Sequence, residues 1–201
     1  PAFPHRLLNV YAPPFVIFVR GDLAPEDDFG VAVVGTRRAS HYGREAARTI
    51  TTDLARVGVT IISGLAVGID GAAHAATLAE EGRTVGVIAG GHDWIYPKAH
   101  ERLAAAIVAG GGAIVAEMAP GTPHLGAYFI RRNRLIAGLA DATVVVEAGV
   151  RSGALSTARW ALEQGRECFL VPGPIDEPRS AGCLAMLRAF APMTRIVAGV
   201  G

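Results

Sequence analysis

Three glycine-rich segments constrain the fold of this chain more than any other feature. They cover residues 35–37, 63–71 and 147–153, and each follows a short apolar run of the kind that forms a buried strand. In a parallel sheet, such turns gather at the carboxyl edge, where free backbone N–H groups and positive helix ends favour an anion. We therefore expect these segments to form a surface that holds phosphate groups.

From Val31 onward, short aliphatic runs alternate with alanine-rich amphipathic stretches. This alternation is typical of βαβ units and predicts an α/β fold, with a doubly wound, mostly parallel sheet and helices on both faces. The predicted strands are 31–35, 59–63, 84–89, 113–116, 143–147 and 167–171. The predicted helices are 42–57, 67–81, 99–109, 128–140 and 152–165, with a short one near 181–189. The glycines expected as left-handed helix caps are Gly58, Gly82, Gly110 and Gly165.

The length of 201 residues allows one α/β domain with a substantial core. We assign residues 31–201 to that domain. Residues 1–30 are punctuated by prolines and contain one strand-like run at 15–19, so we expect an arm or extra strand packed on the core. An apolar fraction of 51% and a charged fraction of 18% argue against a disordered chain.

The net charge of +1 means that any contact with nucleic acid must come from a local patch. Lys98 is the only lysine, and both coding bias and phosphate binding by guanidinium groups explain this preference for arginine. Cys168 and Cys183 have no metal-ligand spacing, so we expect neither a metal nor a cofactor. We find no signal peptide or membrane-spanning run and expect a cytoplasmic protein.

The first glycine-rich segment lacks the spacing of a dinucleotide-binding fingerprint, which disfavours an ordinary NAD site. It carries Arg37 and Arg38 instead, with His41 and Arg44 close behind. Arginines at the carboxyl end of a strand suit phosphate, although a solvated face also explains them. Ser40 is placed to cap the next helix, which alone accounts for it.

In the second segment, Gly64 and Gly68 allow a ligand or another chain to approach the backbone N–H groups near the start of a helix. Asp70 and His74 lie four residues apart on one helical face. They form either an acid–base pair or, as we favour, a local hydrogen bond that orients the loop. Without a nearby nucleophile, the pair is poor evidence for catalysis.

A further cluster joins Phe129 to residues 131–134, which hold three arginines and an asparagine. These cations are expected in the first turns of a helix, where they oppose the macrodipole unless an anion binds there. Tyr128 and Phe129 offer flat surfaces either for base stacking or for core packing.

The third glycine-rich segment supplies hydroxyl and amide groups. Ser152 and Gly153 are expected to begin a helix with these groups free. Glu147, at the end of the preceding strand, is either a general base or, as we favour, a partner for Arg151 or Arg134.

Together, these segments resemble the DNA-processing protein A family, also called DprA or Smf. The matching motifs in chain order are Val34-Gly-Thr-Arg with Ser40, Ser63-Gly-Leu-Ala-Val-Gly-Ile-Asp, Ala73-His74, Tyr96-Pro97, Arg132-Asn-Arg-Leu-Ile-Ala-Gly, Val146-Glu-Ala, Ser152-Gly-Ala-Leu-Ser-Thr-Ala, and Gly165-Arg166 before Val171-Pro-Gly. They extend from the proline-rich start to about residue 190.

The resemblance implies an extended Rossmann-like domain that dimerises and has no catalytic step. It also implies that the protein binds and protects incoming single-stranded DNA and loads the RecA recombinase on it during natural transformation. The residues expected to contact DNA are Gly35, Thr36, Arg37, Ser40, Ser63, Gly64, Gly68, Phe129, Arg131, Arg132, Asn133, Arg134, Ser152 and Gly153.

Three positions depart from the family pattern. Ile130 stands where proline is usual, Leu125-Gly126 where many members have a basic side chain, and Leu184 where asparagine is usual. Members commonly carry a small helical domain before this core and a winged-helix-like domain after it, and neither is evident in this sequence.

Two other functions fit a similar sheet. The first is nucleotide binding, or nucleoside-monophosphate cleavage of the LONELY GUY type, whose Pro-Gly-Gly-x-Gly-Thr-x-x-Glu signature is absent here. The second is sensing of a small nucleotide without a polymer partner. The apolar stretch 184–197 is a candidate dimer interface or, equally, a lid on the subunit's own core.

Overall fold

The computed structural model describes residues 3–197, apart from the side chains at positions 26 and 28. Positions 1–2 of the predicted arm and positions 198–201 of the predicted core lie outside the described residues. The strands are β1 Phe18–Gly21, β2 Gly30–Val34, β3 Thr60–Ser63, β4 Thr84–Ile88, β5 Ala113–Ala116, β6 Ala142–Val145, β7 Glu167–Leu170 and β8 Thr194–Ile196.

The eight strands form one sheet in the order β1-β5-β4-β3-β2-β6-β7-β8. β1 runs antiparallel to β5, and the other neighbouring pairs are parallel. The prediction of a mostly parallel α/β sheet is therefore confirmed. The sequence patterns did not predict β8, which extends the sheet beyond β7.

Six helices connect or flank these strands in the described part of the chain. They are α1 His41–Arg56, α2 Ile69–Ala79, α3 Glu101–Ala109, α4 Gly126–Leu139, α5 Ala154–Glu163 and α6 Ala181–Ala189. Short 3-10 helices cover His5–Asn9, Pro25–Asp28 and Lys98–His100. Among residues 3–197, no helix has the length and apolar composition that a bilayer crossing requires.

Two of the four predicted left-handed glycine caps are confirmed. Gly58 and Gly165 have the expected positive φ, at 81° and 67°. After α3, Gly110 keeps a negative φ as the cap residue, so the left-handed position falls one residue later, at Gly111. After α2, the left-handed position falls at Glu81 instead of the predicted Gly82.

The sheet is covered on both faces. α4, α5 and α6 pack on one face, together with Leu7 and Val10 from the start of the chain. α1, α2 and α3 pack on the other face. Because side chains alternate along a strand, Ala32 and Val34 of β2 face the first layer while Val33 faces the second. The helices predicted for both faces are thus confirmed.

The strand order reverses between β2 and β6. β3, β4 and β5 extend the sheet to one side of β2, whereas β6, β7 and β8 extend it to the other. At such a reversal the connections leave the two neighbouring strands in opposite directions and open a crevice at their carboxyl ends. The crevice lies between the segments that follow Val34 and Val145.

The two ends of the described chain both contribute to the core. Leu7 is fully buried, and β1 joins the main sheet. In α6, Cys183 and Met186 are buried in the core, whereas Met193 and Ile196 beyond it are exposed. The first part of the stretch 184–197 therefore packs on the core of its own subunit. Its role as a dimer interface and the division at residue 30 remain predictions.

Candidate nucleic-acid interface

An open groove with a volume of about 1150 Å³ occupies the crevice between β2 and β6. Its walls come from the turn after β2, the first half of α4 and the loop that leads into α5. The sequence-predicted site residues that line it are Gly35, Thr36, Arg37, Phe129, Arg132, Asn133, Ser152 and Gly153. Those that lie outside its lining are Ser40, Ser63, Gly64, Gly68, Arg131 and Arg134.

Thr36 joins the three glycine-rich segments. Its backbone N–H donates to the Glu147 carbonyl at 2.6 Å, and its own carbonyl accepts from the Ile69 N–H at 3.2 Å. Gly68 has a φ of 87°, and a Cβ at this position would collide with the Thr36 carbonyl. Glycine is therefore required where the second segment crosses the first. Gly68 builds the groove without lining it.

Ser63 and Gly64 also act from beneath the groove. Ser63 is fully buried, and its hydroxyl donates to the Val33 carbonyl at 2.6 Å. A Cβ on Gly64 would collide with the Arg132 guanidinium and lie 2.7 Å from a carboxylate oxygen of Asp70. Gly64 therefore leaves the space in which Arg132 lies.

Arg132 is the buried cation of the groove. Its side chain is almost fully buried, and its Nη1 donates to the Val87 carbonyl at 2.9 Å. Its Nε–H is also buried and has no acceptor among residues 3–197. Burial lowers the pKa of Arg132 to about 10, against the opposing effect of Asp70, so the guanidinium stays charged at neutral pH. A buried, incompletely paired cation in a groove favours an anionic ligand.

Asp70 orients the loop as expected, but not through His74. A carboxylate oxygen of Asp70 accepts from the Gly64 N–H at 3.1 Å, and burial raises the pKa of this carboxyl. Nδ1 of His74 instead lies 2.7 Å from the Thr84 hydroxyl, and burial lowers the pKa of His74 to about 3. The expected pairing of Asp70 with His74 is therefore wrong, because the imidazole points into the core.

Glu147 does not pair with an arginine as expected. Its side chain is buried, and Oε2 accepts from the Ser40 backbone N–H at 2.8 Å. The Ser40 hydroxyl in turn accepts from the Gly43 N–H at 2.9 Å and caps α1. The two residues thus fix the start of α1 behind the groove. The predicted role of Ser40 as a helix cap is therefore confirmed.

Arg131 and Arg134 point away from the groove, toward Glu117. Arg134 is almost fully buried and donates to both carboxylate oxygens, at 2.7 and 3.0 Å. Arg131 donates to the same carboxylate at 2.8 Å. α4 begins at Gly126, so these two cations lie beyond its first turn, and they share the Glu117 carboxylate. Because they do not stand at the helix start, the prediction that the macrodipole makes Arg131 and Arg134 require an external anion is wrong.

Asn133 connects α4 to the segment before α5. Its amide nitrogen donates to the Gly153 carbonyl at 3.1 Å. The Ser152 hydroxyl accepts from the Ala154 N–H at 3.3 Å, and the next two N–H groups of α5 donate to the carbonyls of Ser152 and Gly153. The start of α5 lines the groove, but its first N–H groups are satisfied within the turn, so the expectation that the amide groups here are free is wrong.

One end of the groove is aromatic. The ring centroid of Phe129 is 5.4 Å from that of Tyr96 and 6.0 Å from that of His124. The guanidinium carbon of Arg37 lies 5.0 Å from the centroid of Phe129, within cation–π range. Arg37 is itself exposed, so this contact holds the side chain at the groove without removing it from solvent.

Sequence reasoning missed several groove residues. Tyr96 and His124 come from loops with no helical or strand periodicity, and Tyr96 was noted only as part of a family motif. The basic residues that the predicted list omitted are Arg38, Arg151 and Arg179. Arg179 is paired with Glu177 at 2.9 Å across a two-residue turn. Only tertiary structure reveals that these loops meet.

Comparison with known proteins identifies the family. Residues 1–198 match the family described as DNA recombination-mediator protein A. This chain belongs to that family. It is 48% identical over 180 residues to Protein Smf of Escherichia coli (strain K12), covering 90% of this chain and 48% of that protein. The chain thus spans about half the length of this relative.

Two solved family members share the fold closely. DNA processing protein A from Streptococcus pneumoniae superposes with a TM-score of 0.89 at 38% identity, covering 98% of this chain and 68% of that one. DNA processing protein A from Helicobacter pylori, which binds single-stranded DNA, superposes with a TM-score of 0.88 at 27% identity, covering 99% and 89%. These similarities confirm the family resemblance and the Rossmann-like fold.

Proposed function

We propose that the groove binds single-stranded DNA. The observation that carries this proposal is the combination, in one crevice, of a buried cation with an unpaired N–H, an exposed arginine and an aromatic wall. Guanidinium groups suit backbone phosphates, and rings suit bases. The DNA-binding relative from Helicobacter pylori supports the same ligand.

The aromatic wall favours an unpaired strand over a duplex. In a duplex, each base is stacked between its neighbours and its faces are not available to Phe129 or Tyr96. In a single strand, the faces are free, and phosphates can follow Arg37 and Arg132 along the groove. The overall charge of +1 gives little long-range attraction, so the affinity comes from this local set of groups.

The direct test is a titration of the protein with labelled oligothymidine, with the same-length duplex and with thymidine monophosphate at several salt concentrations. We expect the single strand to bind more tightly than either competitor and its affinity to fall steeply with salt, because each neutralised phosphate releases counterions. Equal affinity for the mononucleotide and the oligomer would support the small-nucleotide sensor and contradict the proposal.

We further propose that this domain acts as a recombination mediator, delivering the bound strand to the RecA recombinase in the cytoplasm during transformation, as a homodimer. The family description and the DNA processing relatives support this role. The test is the lag before RecA hydrolyses ATP on single-stranded DNA, which we expect the protein to shorten. An unchanged lag would limit the proposal to strand binding.

We propose that binding occurs without a chemical step. The acidic candidate Glu147 is buried against the start of α1 and does not line the groove. A LONELY GUY-type cleavage needs a free carboxylate at the bound nucleotide. The two acidic residues that line the groove in the described part of the chain are both engaged, since Asp70 accepts from the Gly64 N–H and Glu177 pairs with Arg179. Incubation with adenosine monophosphate should therefore release no free adenine, and clear turnover would favour the enzymatic alternative.

A further inference from the structure

The groove has a second aromatic surface beside Phe129. Tyr96 lines the groove and is 50% exposed, although it belongs to the loop between β4 and the 3-10 helix Lys98–His100. Its ring centroid is 5.4 Å from that of Phe129, and the two ring planes meet at 66°. The pair is therefore edge-to-face.

The angle between the rings determines how many bases they can hold. A base stacks on a side chain when the two planes are close to parallel. A flat base that is parallel to Phe129 is inclined by about the same 66° to Tyr96. One base therefore cannot stack on both rings, and each ring that stacks must take a base of its own.

The surroundings of the two rings differ. Phe129 is partly buried, with Arg37 over its ring and Tyr96 and His124 around it. Tyr96 is more open to the groove, and a neighbouring ring that also lines the groove contacts it. His124 lies 5.8 Å from the Tyr96 ring, and its Nε2–H donates to the Trp94 carbonyl in the same loop. The Tyr96 ring is thus held in place while much of its surface stays free.

We infer that Tyr96 is a second base-stacking residue, so that the groove grips two unpaired bases, one on Phe129 and one on Tyr96. This inference rests on the proposed function. Because every base has a flat face, the second position accepts any nucleobase and selects for an unpaired strand rather than for a sequence. The tyrosine hydroxyl has no part in this contact.

The test separates stacking from backbone contacts. Affinities are measured for oligothymidine and for an oligomer of the same length built from abasic residues, and their ratio reports the contribution of the bases. We expect Tyr96→Leu to lower this ratio by roughly five-fold or more, which corresponds to the loss of one stacked base. Phe129→Leu should lower it separately, and the double variant should lower it further than either single variant. Because the two rings are in contact, the two losses are coupled and are not expected to multiply exactly.

Two control variants sharpen the result. Tyr96→Phe keeps the ring and should retain the wild-type ratio within about two-fold, as expected if stacking alone matters. Tyr11→Leu removes a tyrosine that is more exposed than Tyr96 but does not line the groove, and should leave the ratio unchanged. Thermal unfolding of each variant checks that the fold is retained.

Three results would overturn the inference while leaving the proposed function intact. They are an unchanged ratio in Tyr96→Leu, an equal loss in Tyr96→Phe, and a double variant no worse than the poorer single variant. The last result would mean that both rings contact one base. Failure of the wild-type protein to bind oligothymidine would instead contradict the proposed function, and this inference with it.

Discussion

Arg132 and Arg134 flank Asn133 on α4 and are both almost fully buried, yet they lie in opposite electrostatic surroundings. Arg134 forms two hydrogen bonds with Glu117 and a third, from Nε, with the Ala12 carbonyl. Arg132 donates to the Val87 carbonyl, and its buried Nε–H is unpaired within residues 3–197. The Arg134 guanidinium is paired within the protein, whereas the Arg132 guanidinium keeps an N–H that has no acceptor among residues 3–197.

This difference shows how a helix can carry two roles on different sides of a single turn. The Glu117 side of α4 fixes the helix against the sheet and the start of the chain. The groove side presents a cation that the fold has desolvated without pairing fully, and an anionic ligand is the partner that suits it. We therefore expect substitutions on the two sides to affect different measurements.

The largest effect is expected from Arg134→Met. The change leaves the Glu117 carboxylate partly buried with only the exposed Arg131 as a partner, and breaking a buried pair costs about 3 kcal/mol. Chemical denaturation measures the loss in the free energy of unfolding. Adding Glu117→Gln should recover part of it, because the unpaired charge is removed. A stable variant that fails to bind DNA would place Arg134 in the groove instead.

The next effect is expected from Arg132→Gln, which removes the buried cation of the groove. Loss of a charge-assisted contact of about 2 kcal/mol should weaken oligothymidine binding by roughly 30-fold. The slope of log affinity against log salt should fall by about one contact. Circular dichroism and thermal unfolding provide the control. Wild-type affinity in a folded Arg132→Gln variant would contradict the proposed role.

A smaller effect is expected from Arg37→Ala. This side chain is exposed and is held over Phe129, so its loss should weaken binding by about five-fold and also lower the salt slope. Arg48→Ala is the matched control, because Arg48 is an exposed arginine of α1 paired with Glu45 and outside the groove. Equal losses in the two variants would indicate a general charge effect rather than a site.

The smallest effect is expected from Arg131→Gln. Arg131 is more than half exposed and shares Glu117 with Arg134, and exposed ion pairs contribute about 0–1 kcal/mol. Both the affinity for oligothymidine and the unfolding free energy should change little. A loss of binding comparable to that of Arg132→Gln would show that DNA extends to the Glu117 side and that the comparison drawn above is wrong.

Most of the fold could be predicted from the sequence because its signals are local. The β-branched runs that become β2, β3 and β6 are buried on both faces, and the glycine-rich segments mark their carboxyl ends. β8 was missed because Thr194–Ile196 is only three residues long and its last two residues are exposed. Its place beside β7 depends on tertiary packing.

The site was harder to predict, because its chemistry depends on partners distant in sequence. The run 131–134 shows three arginines, but not that two of them would pair with Glu117. The Glu147 carboxylate likewise accepts a hydrogen bond from the backbone N–H of Ser40, which lies 107 residues away in the chain. The roles of the glycines were easier to predict from the sequence. Gly64 and Gly68 were expected to permit close approach, but the group that approaches is part of the protein.

Crosslinking tests the central claim most directly. Ultraviolet light joins thymine to neighbouring side chains in the complex with oligothymidine, and mass spectrometry then identifies the modified peptides. We predict that the modified residues are groove aromatics, with Tyr96 and Phe129 foremost. Modification confined to the Tyr11–Trp160 stack or to another surface outside the groove would contradict it.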